Sequence, residues 1–391
     1  MKILFAHNHY GGHAIGGETM VFNSEAKLLE GNGYEVMKYE RSNSEIRNMS
    51  LIKKIKAFIH IHWSEETIIV AGRIMDRFKP DILHVHNYKF LITPSIFRAA
   101  KQHGIKTVLT LHNYRLMVPC GNFMTKDGKV CERCLHKSPI NILIRRCAQG
   151  SILKSFLQYR LFTKTKFELN QLLNLVDLYI VLSNFAKSKL VQSGVPEERI
   201  KVKPNFITPS SNEHDLRKNE RAVFVGRLSY EKGIINLIKN WREINYPLFV
   251  VGTGPLESKA RKMAQGMKNV FFTGAMDNNT VKEFLQESSI LIFPSTLYEG
   301  MPMTILEAMS EGLPVIATDL GPRKEIVTDG ITGFLYAPND TKSFVNKVSL
   351  LINDKDFRLQ MGKAAFAEYQ EKYTREANFK TLSKLYDELV K

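Results

Sequence analysis

Short apolar runs alternate with amphipathic stretches along the whole chain, and this alternation constrains the fold more than any single motif. Parallel strands need a crossover, usually a helix, so a repeating strand–helix pattern specifies parallel sheets covered by helices. In the first half the pattern predicts strands at Lys2–Ala6, Glu35–Tyr39, Ile82–His86, Lys106–Leu111, Leu178–Leu182 and Ile200–Val202. It pauses near Lys203-Pro204-Asn205, and the polar, turn-rich Pro209–Asp215 reads as a linker or surface loop. A second series follows at Ala222–Val225, Leu248–Val251, Val270–Thr273, Ile290–Pro294, Val315–Ala317 and Gly333–Tyr336. The expectation is an α/β chain of two Rossmann-like, doubly wound parallel-sheet domains facing each other across a cleft. The domains are expected at 1–206, with a cysteine-rich insert at 120–147, and at 207–371. A final amphipathic helix, 372–391, carries Phe379, Leu382, Leu385 and Leu389 on one stripe.

The length of 391 residues favours two or three domains. No apolar run approaches the roughly 20 residues that span a bilayer. The opening Met1–His7 turns polar too soon for a signal sequence and reads as a buried strand, so a cytoplasmic location is expected. The net charge of +16 is uneven: residues 1–205 hold 31 Lys and Arg against 16 Asp and Glu, and the remainder holds 24 against 23. Between Glu132 and Glu168 the cations Arg133, Lys137, Arg145, Arg146, Lys154, Arg160, Lys164 and Lys166 alternate with apolar residues and meet no acid. Such a segment either lies on an anionic membrane surface, peripherally at the inner face, or is a solvated helix face over a core. No nucleic-acid-reading motif accompanies the charge, and no nucleic acid is expected as partner.

Two segments carry the chemistry. Val223–Gly233 is a strand ending in a glycine turn with two cations, Arg227 and Lys232. The Arg227 fork and the Lys232 point charge suit a diphosphate, and the helix opening at Gly233 adds free N–H groups. Taken alone, the segment reads first as an ordinary strand-to-helix loop with two surface cations. Phe293–Ala308 is a strand, a tight turn with Gly300 and Pro302, and a helix, with Glu299 and Glu307 eight residues apart. The N–H groups of about Met303 to Ile305, Thr304 among them, would point into the cleft, and a buried Glu307 carboxylate suits ribose hydroxyls. The bland reading of Glu307 is an acid stabilising a helix N-terminus. Gly254 and Gly274 follow two further strands of the same series and allow close backbone approach.

In the first half, Gly11–Thr19 joins strand one to helix one, and its glycines do not form a dinucleotide fingerprint. His112 ends a strand, as do His84 and His86; each could bond a hydroxyl or be structural. All four cysteines, Cys120, Cys131, Cys134 and Cys147, fall within 28 residues with a C-x-x-C at the centre. They read as a structural zinc site or as ordinary thiols. The acid-x-acid pair Asp354-Lys355-Asp356 lies off any strand end, so a metal-independent site is expected, with no catalytic cofactor.

Together these segments resemble the retaining glycosyltransferases of family 4, also called glycosyl transferases group 1, with the two-domain GT-B fold. Gly226-Arg227…Lys232-Gly233 is similar to the family's diphosphate segment, Glu299 and Glu307 to its paired glutamates, Gly16-Gly17 to its first-loop glycines and His112 to its amino-terminal histidine. Asn205 sits in a diverged Pro-Asn-Gly segment whose third residue here is Phe206. The resemblance implies a nucleoside diphosphate sugar as donor. Gly16, Gly17, Arg227, Lys232, Gly254, Gly274, Glu299, Gly300, Met301, Met303, Thr304 and Glu307 would then bind the donor. His112, Glu299, Arg227 and Lys232 would form the catalytic set, and the last helix would cross back to the amino-terminal domain. It further implies transfer to a glycan or lipid-diphosphate-linked glycan in cell-surface polysaccharide synthesis. Three rivals remain at this stage: a sugar-nucleotide epimerase on the same fold, a non-catalytic nucleotide-sugar- or polysaccharide-binding protein, and, ranked last, a basic RNA-binding protein.

Overall fold

The computed structural model describes residues 1–10, 16–52, 54, 62–125, 128–148, 150–208 and 219–391, with the side chains of Lys166 and Phe167 excepted. The Gly11–Ile15 part of the first loop and the expected Pro209–Asp215 linker lie outside the described residues. The chain divides into two compact units. One comprises Met1–Gly121, Glu132–Pro204 and Asn378–Lys391; the other comprises Asn122–Cys131 and Asn205–Ala377. The division thus falls after Pro204, and part of the cysteine-rich insert groups with the second unit.

Among the described residues, the first unit holds six strands: β1 (Lys2–His9), β2 (Glu35–Ser42), β3 (Ile82–Asn87), β4 (Lys106–Leu111), β5 (Leu178–Val181) and β6 (Ile200–Val202). They form one sheet in the order β2-β1-β3-β4-β5-β6, and every neighbouring pair is parallel. The second unit holds β7 (Ala222–Val225), β8 (Leu248–Val251), β9 (Val270–Gly274), β10 (Ile290–Phe293), β11 (Val315–Thr318) and β12 (Gly333–Tyr336). Their order is β12-β11-β10-β7-β8-β9, again parallel throughout. The inner strands are almost wholly buried in both sheets, as expected where helices cover both faces, whereas the edge strands β2 and β9 are largely half-buried or exposed.

Strand order decides where a ligand can sit. In an open parallel sheet, ligands bind beyond the carboxyl ends of the strands, where the order reverses and successive crossovers go to opposite faces. In the second sheet that point lies between β7 and β10, and in the first between β1 and β3. The β7 and β10 ladders pair Ala222 with Ile290 and Val223 with Leu291, so both strands end side by side.

The last helix, Arg375–Val390, closes the first unit. Leu382 and Leu385 are buried in a core with Phe5, Phe22 and Ile180, and Phe379 and Leu389 pack on its edge. The Tyr386 hydroxyl reaches Nδ1 of His84 at 2.6 Å. Beneath that sheet, Lys203 and Glu25 form a wholly buried ion pair.

The zinc reading of the cysteines is corrected by the structure. Among the described residues, the group of three or more potential ligands that comes together is Glu25, His84 and His86, and it includes no cysteine. Cys131 leaves a small hairpin whose Met124 pairs with Val130, and its N–H bonds the Phe123 carbonyl. Cys120 is exposed, and the Cys147 sulfur leans on the Asn141 carbonyl at 3.9 Å.

Candidate functional site

The two segments singled out in the second half meet at the β7–β10 switch point. After β7 the chain turns through Gly226 and Arg227 and enters the helix Ile234–Trp241, whose N-cap is Gly233. Gly233 has φ +74, and a Cβ there would lie 2.1 Å from the Pro294 carbonyl oxygen, just past β10. Only glycine lets the two loops touch at that point. The Glu231 carbonyl accepts the Thr296 N–H at 2.8 Å and fixes the second loop to the first. Similarly, a Cβ on Gly254 would fall 2.5 Å from the Leu228 carbonyl, so the loop after β8 presses backbone to backbone on the residue that follows Arg227.

The side chains converge at the same place. Lys232 Nζ donates to Glu299 Oε1 at 2.7 Å, and the Ser295 hydroxyl donates to the same oxygen at 2.9 Å. Burial resists ionisation of Glu299. Lys232, then Arg323 and Ser295, overcome it and hold the carboxyl below the usual range. Arg323 is fully buried, donating through Nε to Thr318 O at 2.7 Å and through a terminal nitrogen to Leu297 O at 3.2 Å. The Arg323 guanidinium and Lys232 Nζ lie 5.8 and 5.7 Å from the Phe293 ring centroid. Arg227 is exposed and, among the described residues, has no ion-pair partner.

Glu307 lies on the helix Met303–Ser310, which starts at Pro302. Its carboxyl makes no hydrogen bond among the described residues, and burial raises its pKa against the pull of Lys282. Gly300, Met303 and Thr304 are half-buried and Met301 is buried. The Asn205 N–H meets Met301 Sδ at 3.2 Å, and its amide meets Met303 Sδ at 3.3 Å. The Gly274 carbonyl accepts the Gly252 N–H at 2.7 Å. Arg227, Lys232, Gly254, Glu299 and the start of the Met303 helix therefore gather around the ends of β7, β8 and β10, whereas Gly274 stands one strand further out. An exposed cation, a paired cation and helix N–H groups are chemically able to receive an anion. Glu307 adds an acceptor for hydroxyls.

In the first unit, Gly16 caps the helix Gly17–Glu30, and both glycines are exposed. His112 follows β4, its Nε2 3.0 Å from Nδ1 of His86. Burial, then Lys203 and His7, push His112 down to about 3, and burial with His9 does the same to His7. His84 and His86 are lowered as well, mainly by burial. The four rings are thus neutral at physiological pH, and suit hydrogen bonding better than charge. A small cavity of about 90 Å³ lies in the second unit near Thr318, and one of about 30 Å³ lies beside His112, Glu18 and Arg115. Glu18 is pushed up to about 7 by burial, against Arg115, Tyr10 and Asn113.

Sequence reasoning passed over Arg323, Ser295 and Glu18. Arg323 had one usable signal, the Gly321-Pro322 turn after an apolar strand.

Residues 207–368 match the family described as Glycosyl transferases group 1, and residues 16–211 match Glycosyltransferase Family 4. An uncharacterized glycosyltransferase of Methanocaldococcus jannaschii is 24% identical over 100% of this chain and 99% of its own. Sulfoquinovosyl transferase SQD2 of Arabidopsis thaliana is 26% identical over 80% of this chain, which spans 58% of that protein. O-antigen chain mannosyltransferase C of Escherichia coli is 28% identical over 43% of this chain and 46% of its own. Among solved structures, Anabaena HepE in complex with UDP superposes with a TM-score of 0.68 at 18% identity, covering 100% of both chains.

Proposed function

Since this chain belongs to glycosyltransferase family 4, with the GT-B fold, we propose that it transfers a sugar with retention from a nucleoside diphosphate sugar to a glycan or lipid-linked glycan. The observation that carries the reading is the meeting of Arg227, Lys232, Glu299 and the Met303–Ser310 helix at the β7–β10 switch point. Arg227 and Lys232 take the diphosphate, Glu307 the ribose, and Glu299 with the Gly300–Thr304 backbone the transferred sugar. Gly254 and Gly274 let backbone approach the nucleotide. Gly16 and Gly17 reach the diphosphate, and neutral His112 bonds a sugar hydroxyl.

The chemistry follows from the leaving group. The bond between the anomeric carbon and the phosphate oxygen breaks, and its electron pair stays on the diphosphate. Fixed cations stabilise that growing charge without reorganising, which supplies much of the catalysis. The acceptor hydroxyl attacks from the same face and passes its proton to the departing phosphate oxygen. Neither a metal nor a protein nucleophile enters this scheme. The Anabaena structure contains UDP, so uridine donors are tested first.

The acceptor belongs to the basic amino-terminal unit. There the exposed Ile144, Ile152, Leu153 and Phe156 stand among exposed Arg145, Arg146, Lys154 and Arg160, while Ile142 and Phe162 face the core. This arrangement suits peripheral binding to an anionic membrane that carries a lipid-linked acceptor in cell-surface polysaccharide synthesis. Among the described residues no helix is long and apolar enough to cross a membrane. Incubation with UDP- and GDP-sugars, with and without membrane-derived acceptor, tests the proposal. Acceptor-dependent product with the donor's anomeric configuration supports it. Epimerised donor without acceptor favours the epimerase, and loss of neither donor nor acceptor favours a binding protein.

A further inference from the structure

A large cavity lies away from the switch point of the second sheet and is lined wholly by residues of the first unit. It holds about 960 Å³, toward the upper end of the roughly 300–1,000 Å³ usual for small-molecule sites. We infer that it binds a neutral oligosaccharide, the saccharide part of the acceptor; this rests on the transferase reading above.

Three kinds of observation support it. First, the lining joins aromatic faces to polar groups: Trp63, Phe90 and Tyr39 stand with Glu65, Glu66 and Arg73. Pyranose rings present apolar C–H faces and a rim of hydroxyls, so they need both. Among the described residues the Glu65 and Glu66 carboxylates make no hydrogen bond, which leaves them open to accept from hydroxyls. Second, the charge balances. The wall carries two cations, Arg41 and Arg73, and two acids, Glu65 and Glu66, and Arg41 is already paired with Glu45 at 2.9 Å. In a half of the chain with so large a cationic excess, a balanced cavity favours a neutral ligand over a phosphate or an anionic lipid.

Third, the wall after β3 is strained. Phe90 has φ +85 and Thr93 has φ +57, a left-handed conformation unusual for an aromatic and for a β-branched residue. The loop is held there by the Leu91 N–H on Asn8 Oδ1 at 3.3 Å and the Thr93 N–H on the Tyr88 carbonyl at 2.7 Å. Strain retained by its surroundings clusters at ligand sites. Here it sets Phe90, 37% exposed, on the cavity wall.

The chain's two tryptophans make the test direct. Trp241 is fully buried in the second unit, so a change in emission on adding sugar reports Trp63. Neutral trisaccharides of glucose, mannose, galactose and N-acetylglucosamine are titrated into the whole protein without donor, followed by tryptophan emission and saturation-transfer NMR. The expected result is saturable binding of at least one, weakened about tenfold or more in Phe90→Ala and in Ile69→Arg, if a packed ring contact is lost or the wall is blocked. Ile69 is 54% exposed on the wall, so its substitution leaves folding intact should Phe90→Ala not. UDP binding, measured in parallel, stays unchanged in both variants. No binding of any trisaccharide, or equal binding in both folded variants, overturns the inference. Emission changes produced only by inorganic phosphate or anionic vesicles also overturn it. Failure of UDP to bind would instead strike the transferase reading.

Discussion

Replacing Lys232 by Met keeps the length of the side chain and removes its charge, so it isolates the pair with Glu299. At 2.7 Å and an effective dielectric of about 20, the gross attraction is roughly 6 kcal/mol. Much of that is offset. Lys232 regains hydration in the unfolded chain, and Ser295 and Arg323 still serve Glu299 in the variant. The side chains are 27% and 15% exposed, so the loss falls below the about 3–5 kcal/mol of a fully buried pair, near 2 kcal/mol. For a unit of this size that is a drop of about 4–8 °C in the melting temperature.

The pH dependence adds a second signature. A carboxyl held below its usual pKa contributes stability that is present above about 4.3 and lost as pH falls through its folded value. In Lys232→Met, with the main opposing cation gone, the loss begins at higher pH. Turnover falls separately, by about a hundredfold or more, if the diphosphate contact disappears. The double variant Lys232→Met/Glu299→Gln leaves no lone carboxylate. It recovers at least half the stability and none of the activity. Differential scanning fluorimetry across pH and a donor-consumption assay read both. A single variant as stable as the parent, with turnover within a few-fold, would refute the argument.

Further consequences follow from the same structure. Arg227→Ala leaves the melting temperature unchanged, since the side chain is exposed, and lowers turnover by about a hundredfold; steady-state kinetics check it. Glu307→Gln stabilises the ligand-free protein slightly at pH 7, because its carboxyl is raised by burial and its contribution is lost as pH rises through that value; it also weakens nucleotide binding in calorimetry. Lys203→Met strands the buried Glu25 and costs about 3–5 kcal/mol in urea denaturation of the first unit. The lowered His7, His84, His86 and His112 make that unit lose stability as pH falls below about 6.5, since the unfolded chain binds protons that the folded one refuses.

Strand positions were legible because buried parallel strands are short apolar runs bounded by turns. Their ends were less so: β1 continues to His9 through polar Asn8, because pairing with β2 runs on to Ser42. The candidate donor residues could be read individually from glycine turns and cations at strand ends. The bond from Lys232 to Glu299 could not, since it depends on β7 and β10 being neighbours, and that order is not written in local pattern. Arg323 was hidden for the same reason, being useful only once Thr318 and Leu297 fold around it. The cysteines misled because a C-x-x-C spacing is not by itself a ligand set: among the described residues the group of three or more potential ligands that comes together, Glu25, His84 and His86, includes no cysteine.

Calorimetric titration of UDP and GDP into the parent protein and Arg227→Ala tests the centre of the account most directly. Saturable heat with one nucleotide in the parent, weakened about tenfold or more in the variant through loss of a charge-assisted contact, is the predicted result. Absence of heat with either nucleotide, or equal affinity in both proteins, would contradict it.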